Sequence, residues 1–333
     1  MRAAFKKGRE VQIRDVALRP LGPGEARVKV DACGVCGTDL HVNPAGDERE
    51  SGFGHEVAGT ILEVGVGVTQ LRPGQRVVLD SATPCGRCEN CRNTRQELCT
   101  DIQSFWFTNT FGFAEEMIAP AICAFPCEDL TPEVACLQEP LGVALDLVRL
   151  ADITPTSNVL LLGAGPIGLM AVALARRQGA RRIFVSEFGR AQTRCELAQK
   201  FGADRVIDPS VTPLDKVDFG GPIDRILVTT PPPTLKDAFT VACKGGIVAF
   251  IGIAYGENAF CRFDANAFHF KKLQLRASFA SPALFGPLAV QKLREGVVDG
   301  NALVSHRFPL AELSHALDTA RTDPKAVKVV ITP

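Results

Sequence analysis

The chain changes its hydrophobic rhythm near position 140 and changes back near its end. Before that point, "AAFKK", "VQIRDV" and "ARVKVDA" alternate apolar and polar residues, the period of a strand with one buried face. The turn-forming "PLGPGE" separates the last two. Beyond it, "NVLLLGAGPIGLMAVALARRQGA" reads as a short apolar strand, a glycine turn and an amphipathic helix. "RIFVSE", "RAQTRCELAQKFGA", "RVIDP", "DRILVTT", "TLKDAFTVAC" and "GGIVAFIGI" continue the alternation of strand and helix. Such alternation predicts parallel βαβ units in a doubly wound sheet. A helix-like "PALFGPLAVQKLREG" then leads to the extended endings "SHRFPL" and "AVKVVITP". The pattern therefore predicts an α/β chain, with a β-rich domain over residues 1–140 and 281–333 and a nucleotide-binding domain over residues 141–280.

Composition narrows the function classes. A chain of 333 residues with 46% hydrophobic and 22% charged positions is an ordinary globular protein. Its formal net charge is zero and no Lys/Arg block runs along it, so neither nucleic acid nor an anionic membrane is the expected partner. The opening "MRAAFKKGREVQIRDV" lacks the apolar core of a signal peptide, and no apolar run approaches the ~18 residues of a membrane span. Twelve cysteines in such a chain point to thiols and metal rather than a disulfide framework, and to the reducing cytoplasm.

"GAGPIG" sets Gly163, Gly165 and Gly168, with Pro166 and Ile167 between the last two, in the G-x-G-x-x-G pattern of a dinucleotide site. It follows an apolar strand and opens a helix, the context that pattern requires. Gly163 would make the tight turn, Gly165 would let the backbone approach a pyrophosphate, and Gly168 would let helix pack on strand. About twenty residues on, "VSE" places Glu187 where a carboxylate accepts hydrogen bonds from an adenosine ribose diol. That favours NAD over NADP. Arg190 lies three residues later and can pair with a 2′-phosphate, so NADP is not excluded.

"CGRCENCRNTRQELC" gives Cys85, Cys88, Cys91 and Cys99 a C-x2-C-x2-C-x7-C spacing. Four thiolates so close together can surround one tetrahedral zinc ion. An iron–sulfur run has a different last spacing. A closed four-thiolate site leaves no open coordination position, so its expected role is to fold the loop.

"CGTDLH" and, after a short loop, "GHE" hold two of the five histidines. Cys36 and His55 are suitable ligands for a second zinc, with Glu56 a third candidate. Together with the glycine turn and the four-cysteine lobe, these motifs resemble the zinc-dependent medium-chain dehydrogenase/reductase superfamily, over the whole chain. Within it, the chain is similar to the sorbitol and threonine dehydrogenase branch through Glu139 in "QEPLG". The resemblance implies a GroES-like β-rich catalytic domain beside a Rossmann domain, with two zinc ions per chain and NAD. It implies that Cys36, His55, Glu56 and Glu139 surround the catalytic metal, with either carboxylate as the direct ligand. Asp39 would orient His55, and Thr38 and His41 would relay the proton. "VTTPP" with Thr229 and Thr230, and "IGI" with Ile251, Gly252 and Ile253, would contact the ribose and nicotinamide. A homodimer or homotetramer, joined through the sheet edge around "LQLRASFA", is implied as well.

The activity implied is oxidation of a secondary alcohol in a polyol, cyclitol, sugar or amino alcohol, with an L-threonine 3-dehydrogenase type as the alternative. A non-catalytic nicotinamide-binding sensor or structural protein would instead show damaged ligands, and none is damaged here. The loop "VNPAGDERESGF" is shorter and more charged than the branch leads one to expect, and Asp47, Glu48, Arg49 and Glu50 either face a polar substrate or are solvated. Trp106 is a candidate wall of the substrate pocket. Cys33, Cys136, Cys195, Cys243 and Cys261 read as packing, and His269, His306 and His315 as surface or capping residues. Cys123 and Cys127 have no evident ligand partner.

Overall fold

The protein is represented by a computed structural model that describes residues 1–41, 50–107 and 111–333. Asp47, Glu48 and Arg49 lie outside the described residues. The chain forms two compact units, Met1–Gly142 with Ala280–Pro333, and Val143–Phe279.

The first unit is built on a seven-stranded sheet. Its main path runs Ala124–Pro126, Arg76–Leu79, Glu56–Val64, Glu25–Gly34, Lys328–Thr332, Val304–Pro309, and Glu116–Pro120 adds to Glu25–Gly34. Strand Glu25–Gly34 begins in alternation, burying Ala26, Val28 and Val30, as a sheet with one packed face demands. Those side chains meet Ile61, Val77 and Met117 in one apolar cluster. The C-terminal strand Lys328–Thr332 closes the unit by pairing antiparallel with Glu25–Gly34, Val330 opposite Gly34. Arg2–Lys7 and Glu10–Asp15 form a hairpin in a separate three-stranded sheet.

The second unit is a six-stranded sheet, parallel throughout. Its strands in chain order are Asn158–Leu162, Arg182–Ser186, Arg205–Ile207, Ile223–Val228, Ala242–Phe250 and Gln274–Ala277. Across the sheet they run third, second, first, fourth, fifth, sixth, the doubly wound order. Asn158–Leu162 is buried at every position, as befits a strand covered on both faces. Helix Pro166–Arg177 follows it, with proline at its first turn and Arg176 and Arg177 at its carboxyl end, where cations suit the helix dipole. The order of strands reverses between the first and fourth, whose carboxyl ends lead into Gly163 and Thr229.

Two elements were not evident in the apolar rhythm. "CGTDLH" forms a one-turn helix, Gly37–Leu40, and "QEPLG" opens a helix, Gln138–Leu150.

Candidate metal centre and cofactor turn

Cys36 precedes helix Gly37–Leu40 as its N-cap. Its backbone N–H donates to Asp39 Oδ2 at 2.9 Å, which fixes the turn that presents the thiol. The far end of the turn is held by Lys6, whose ammonium donates to the carbonyls of Asp39 and His41 at 2.7 and 2.8 Å. Thr38 and His41 are exposed on this turn, whereas Asp39 is buried.

His55 and Glu56 enter from strand Glu56–Val64, which pairs with Glu25–Gly34 so that Glu56 lies opposite Gly34. One donor atom from each of Cys36, His55 and Glu56 lies within 4.8 Å of the others. His55 Nδ1 is buried with no hydrogen-bond partner among the described residues. Asp39 Oδ1 faces it at 3.8 Å, a charge contact rather than a hydrogen bond. Glu139 stands at the start of helix Gln138–Leu150 and accepts a long hydrogen bond from Ser81 Oγ at 3.4 Å.

Burial and neighbouring charge pull in opposite directions within this cluster. Burial is the strongest influence on His55 and pulls its pKa down, yet Cys36, Asp39 and Glu139 outweigh it and leave the imidazole well above its usual range. Removal from solvent pushes Glu139 up to about 7; His55 opposes that rise and Glu56 adds to it. Burial also raises Asp39. Thiol, imidazole and carboxyl donors that compete for protons in this way suit a divalent zinc ion, which would take the place of the proton on His55. The residues fit the group.

Three further residues build this centre and escaped the reading of motifs. Lys328 is 2% exposed and its ammonium bonds both Glu56 oxygens, at 2.7 and 2.6 Å. Asp80 accepts from Gln138 Nε2 at 2.7 Å, and burial raises its carboxyl to about 6. Asp80 and Ser81, just past strand Arg76–Leu79, thus both hold the start of the helix that carries Glu139. A charged residue inside or directly after an apolar run, as in "AVKVVITP" and "VVLDS", was the available signal.

Trp106 adds an apolar wall. Its ring lies 5.4 Å from the His55 imidazole and 5.2 Å from Phe111 by centroids, and 44% of the residue remains exposed.

In the four-cysteine lobe one sulfur from each of Cys85, Cys88, Cys91 and Cys99 lies within 4.8 Å of the rest. The N–H groups of Arg87 and Cys88 point at Cys85 Sγ, at 3.4 and 3.3 Å, and that of Cys85 at Cys99 Sγ, at 3.3 Å. Backbone donation draws Cys88 down to about 6, while loss of solvent pushes Cys91 up to about 12. Backbone N–H groups aimed at sulfur stabilise thiolate, the form that binds metal. Apart from Cys91 and Cys99 the lobe buries almost nothing of its own.

The glycine turn sits in the second unit. Gly163 has φ +95°, and a Cβ there would lie 2.7 Å from the Thr230 methyl. A Cβ on Gly168 would lie 2.1 Å from the Gly163 carbonyl, so that glycine seats helix on strand. A Cβ on Gly165 would meet no protein atom within 4 Å, which leaves open the space that a phosphate group requires. Glu187 follows strand Arg182–Ser186; its two oxygens accept the N–H groups of Ala164, at 2.9 Å, and of Phe188, at 2.8 Å. The Arg190 guanidinium lies 4.8 Å from the Phe188 ring centre. Thr229 Oγ1 donates to the carbonyls of Leu162 and Gly163, both at 3.0 Å, and so ties the fourth strand to the turn. Thr230 bonds Thr234 at 2.7 Å, Gly252 packs against the Thr230 carbonyl, and Ile251 and Ile253 flank it, the latter half exposed.

Comparison with known proteins agrees with both halves. Residues 22–129 match the alcohol dehydrogenase GroES-like domain, and residues 166–292 match the family described as zinc-binding dehydrogenase. The L-galactonate-5-dehydrogenase of Escherichia coli K12 is 30% identical over 89% of this chain and 88% of its own. An L-threonine 3-dehydrogenase of Thermococcus kodakarensis is 36% identical over 70% of this chain and 69% of its own. Among solved structures, an alcohol dehydrogenase of Escherichia coli CFT073 complexed with NADH is 27% identical at a TM-score of 0.89, over 100% of this chain and 99% of that one. A zinc-binding dehydrogenase of Sinorhizobium meliloti bound to NADP is 29% identical at a TM-score of 0.88, with the same coverage. Together with the donor clusters and the doubly wound sheet, these matches make the chain a zinc-dependent dehydrogenase of the medium-chain dehydrogenase/reductase superfamily.

Proposed function

We propose that the protein oxidises a secondary alcohol of a polyol, sugar acid, cyclitol or amino alcohol to the ketone with NAD. The observation that carries this reading is the convergence of Cys36, His55 and Glu56 within 4.8 Å, a group that Glu139 does not join. Zinc when bound acidifies a hydroxyl, and NAD accepts the hydride from its carbon. Cys36, His55 and a carboxylate from Glu56 or Glu139 hold the metal. Asp39 fixes the turn that carries Cys36 and sets a negative charge behind His55. Thr38 and His41, exposed on the same turn, pass the substrate proton to solvent. The four-cysteine lobe holds the second zinc as a folding element. Glu187 still has free lone pairs for a ribose diol after accepting two backbone N–H groups, which supports NAD; Arg190 keeps NADP as the alternative cofactor.

L-Threonine oxidation is the second reading, favoured by the 36% identity to the Thermococcus enzyme. NADH formation by zinc-loaded protein across polyols, aldonic acids, cyclitols, amino alcohols and L-threonine tests both. Turnover on a sugar acid or polyol supports the first reading, and turnover confined to L-threonine supports the second. Silence across the panel with zinc and NADH bound would count against both. Twelve free cysteines support a reducing cytoplasmic setting. The exposed edge strand Gln274–Ala277 supports a homodimer formed through it. Among the described residues no helix is long and apolar enough to cross a membrane.

A further inference from the structure

The one-turn helix Gly37–Leu40 carries Thr38 and leads into His41, yet its own sequence puts no cation in its last turn. The carbonyls at that end are met from distant parts of the chain. Lys6 donates to Asp39 O and His41 O at 2.7 and 2.8 Å, and Arg321 Nη2 donates to Leu40 O at 3.3 Å. Two cations thus hold three consecutive carbonyls of the kind a helix end leaves without intrahelical partners, a placement that also suits the helix dipole. Lys6 takes the larger share and reaches further. It is half-buried in strand Arg2–Lys7, whose neighbour Ser51–Gly52 sets Ser51 opposite Lys6 and Gly52 opposite Phe5. The chain runs directly from Gly52 through Phe53 and Gly54 to His55. The Lys6 ammonium lies 6.0 Å from the centre of the Phe53 ring, which is buried. The N-terminal hairpin therefore holds two segments at once: the one leading to His55 through strand pairing, and the turn of Thr38 and His41 through one side chain.

Resting on the dehydrogenase reading above, we propose that Lys6 is a positioning residue for the proton path, fixing the backbone from Asp39 to His41 relative to the segment that leads to His55. In the oxidation the alcohol carbon gives a hydride to NAD, and the hydroxyl gives one proton that Thr38 and His41 pass to solvent. Lys6 carries neither. It fixes the His41 carbonyl and, with it, the point from which the imidazole projects. A displacement of about 1 Å in such a group can cost on the order of 100-fold in rate.

The test compares Lys6→Met, Lys6→Arg and Lys7→Met in the zinc-loaded full-length protein, on whichever alcohol of the panel wild type oxidises. Lys6→Met should lower kcat by about 10–100-fold, with KM for NAD and alcohol within about threefold of wild type and zinc content unchanged. Its kcat should show a larger solvent deuterium isotope effect than wild type and recover in added imidazole, because proton removal has become the slow step. Without substrate or NAD, peptide hydrogen exchange over residues 36–41 should quicken. Lys6→Arg, which can still donate to two carbonyls, should restore most of kcat. Lys7→Met, which removes the same charge from the exposed neighbouring position, should match wild type. Should Lys6→Met fail to fold, Lys6→Gln keeps one donor group and should give the same pattern with a smaller loss. A folded Lys6→Met with wild-type kcat would overturn the proposal. So would a loss of kcat that comes with loss of zinc, or one that imidazole does not restore and that leaves the isotope effect unchanged. If wild type oxidises no alcohol of the panel, the dehydrogenase reading falls and this inference with it.

Discussion

His55, buried with its Nδ1 unpartnered among the described residues beside Cys36 and Glu56, has the surroundings of a metal ligand. Burial pulls the pKa of His55 down, yet the neighbouring negative charge of Cys36 and Asp39 outweighs it and raises the imidazole well above its usual range. Replacing His55 by Ala should therefore lower turnover by more than the ~10–100-fold that loss of an outer partner brings, while NADH binding by fluorescence stays near wild type. Turnover within tenfold of wild type would sink the metal assignment. Glu187 accepts two backbone N–H groups for the chain, and in the function proposed above it also meets the ribose. Glu187→Ala should raise the KM for NAD by about 10–100-fold, the worth of a hydrogen bond to a charged group, and should change the KM for NADP less. An unchanged preference would shift the discrimination to Arg190. Trp106 touches the His55 ring without bonding it, so Trp106→Ala should redistribute kcat/KM among the alcohols of the panel by roughly tenfold and leave zinc content alone. Equal losses on every alcohol would make it packing rather than a pocket wall.

At the scale of elements, what the sequence revealed depended on whether residue type or neighbourhood carried the information. The glycine turn was legible because each of its glycines meets a local requirement, such as the positive φ of Gly163 and the close helix contact of Gly168. The four-cysteine lobe was legible because four thiols in a short polar stretch have little else to do. Lys328 was not, because alternation in "AVKVVITP" places a lysine on the wet face of a strand. The structure buries both faces of Lys328–Thr332 by setting it in the middle of the sheet. Strand order is a long-range fact that a local period does not contain. The lobe makes the corresponding prediction about stability. It has a one-turn helix, Glu89–Arg92, a 3₁₀ turn, Gln96–Leu98, and an exposed Leu98, so a metal held by its four thiols would substitute for a core. Cys88→Ser should halve the zinc bound per chain and lower the melting temperature by roughly 5–15 °C, since each kcal/mol moves a domain of this size by about 2–4 °C. Zinc content and melting equal to wild type would remove the structural site.

For the molecule as a whole, the open question is what covers the end of the parallel sheet. Among the described residues strand Gln274–Ala277 pairs with a strand on one side only, which leaves its other edge open to a partner. Around it Leu275 is 40% exposed, Phe270 72% and Phe279 73%, apolar surface that a solitary chain gains nothing by showing to water. A second copy related by a two-fold axis can satisfy both deficits, because an antiparallel pair of identical edge strands is self-complementary. The same symmetry doubles the effect of any substitution, which enters the interface twice. Leu275→Lys should lose about 1.5 kcal/mol of apolar burial on each side of the axis and set like charges against each other, weakening the dimer by on the order of 100-fold or more. Sedimentation at micromolar concentration should show wild type as a dimer or larger and Leu275→Lys shifted toward monomer, with zinc content unchanged. A monomeric wild type would leave this edge to be covered by something other than a second copy of the chain.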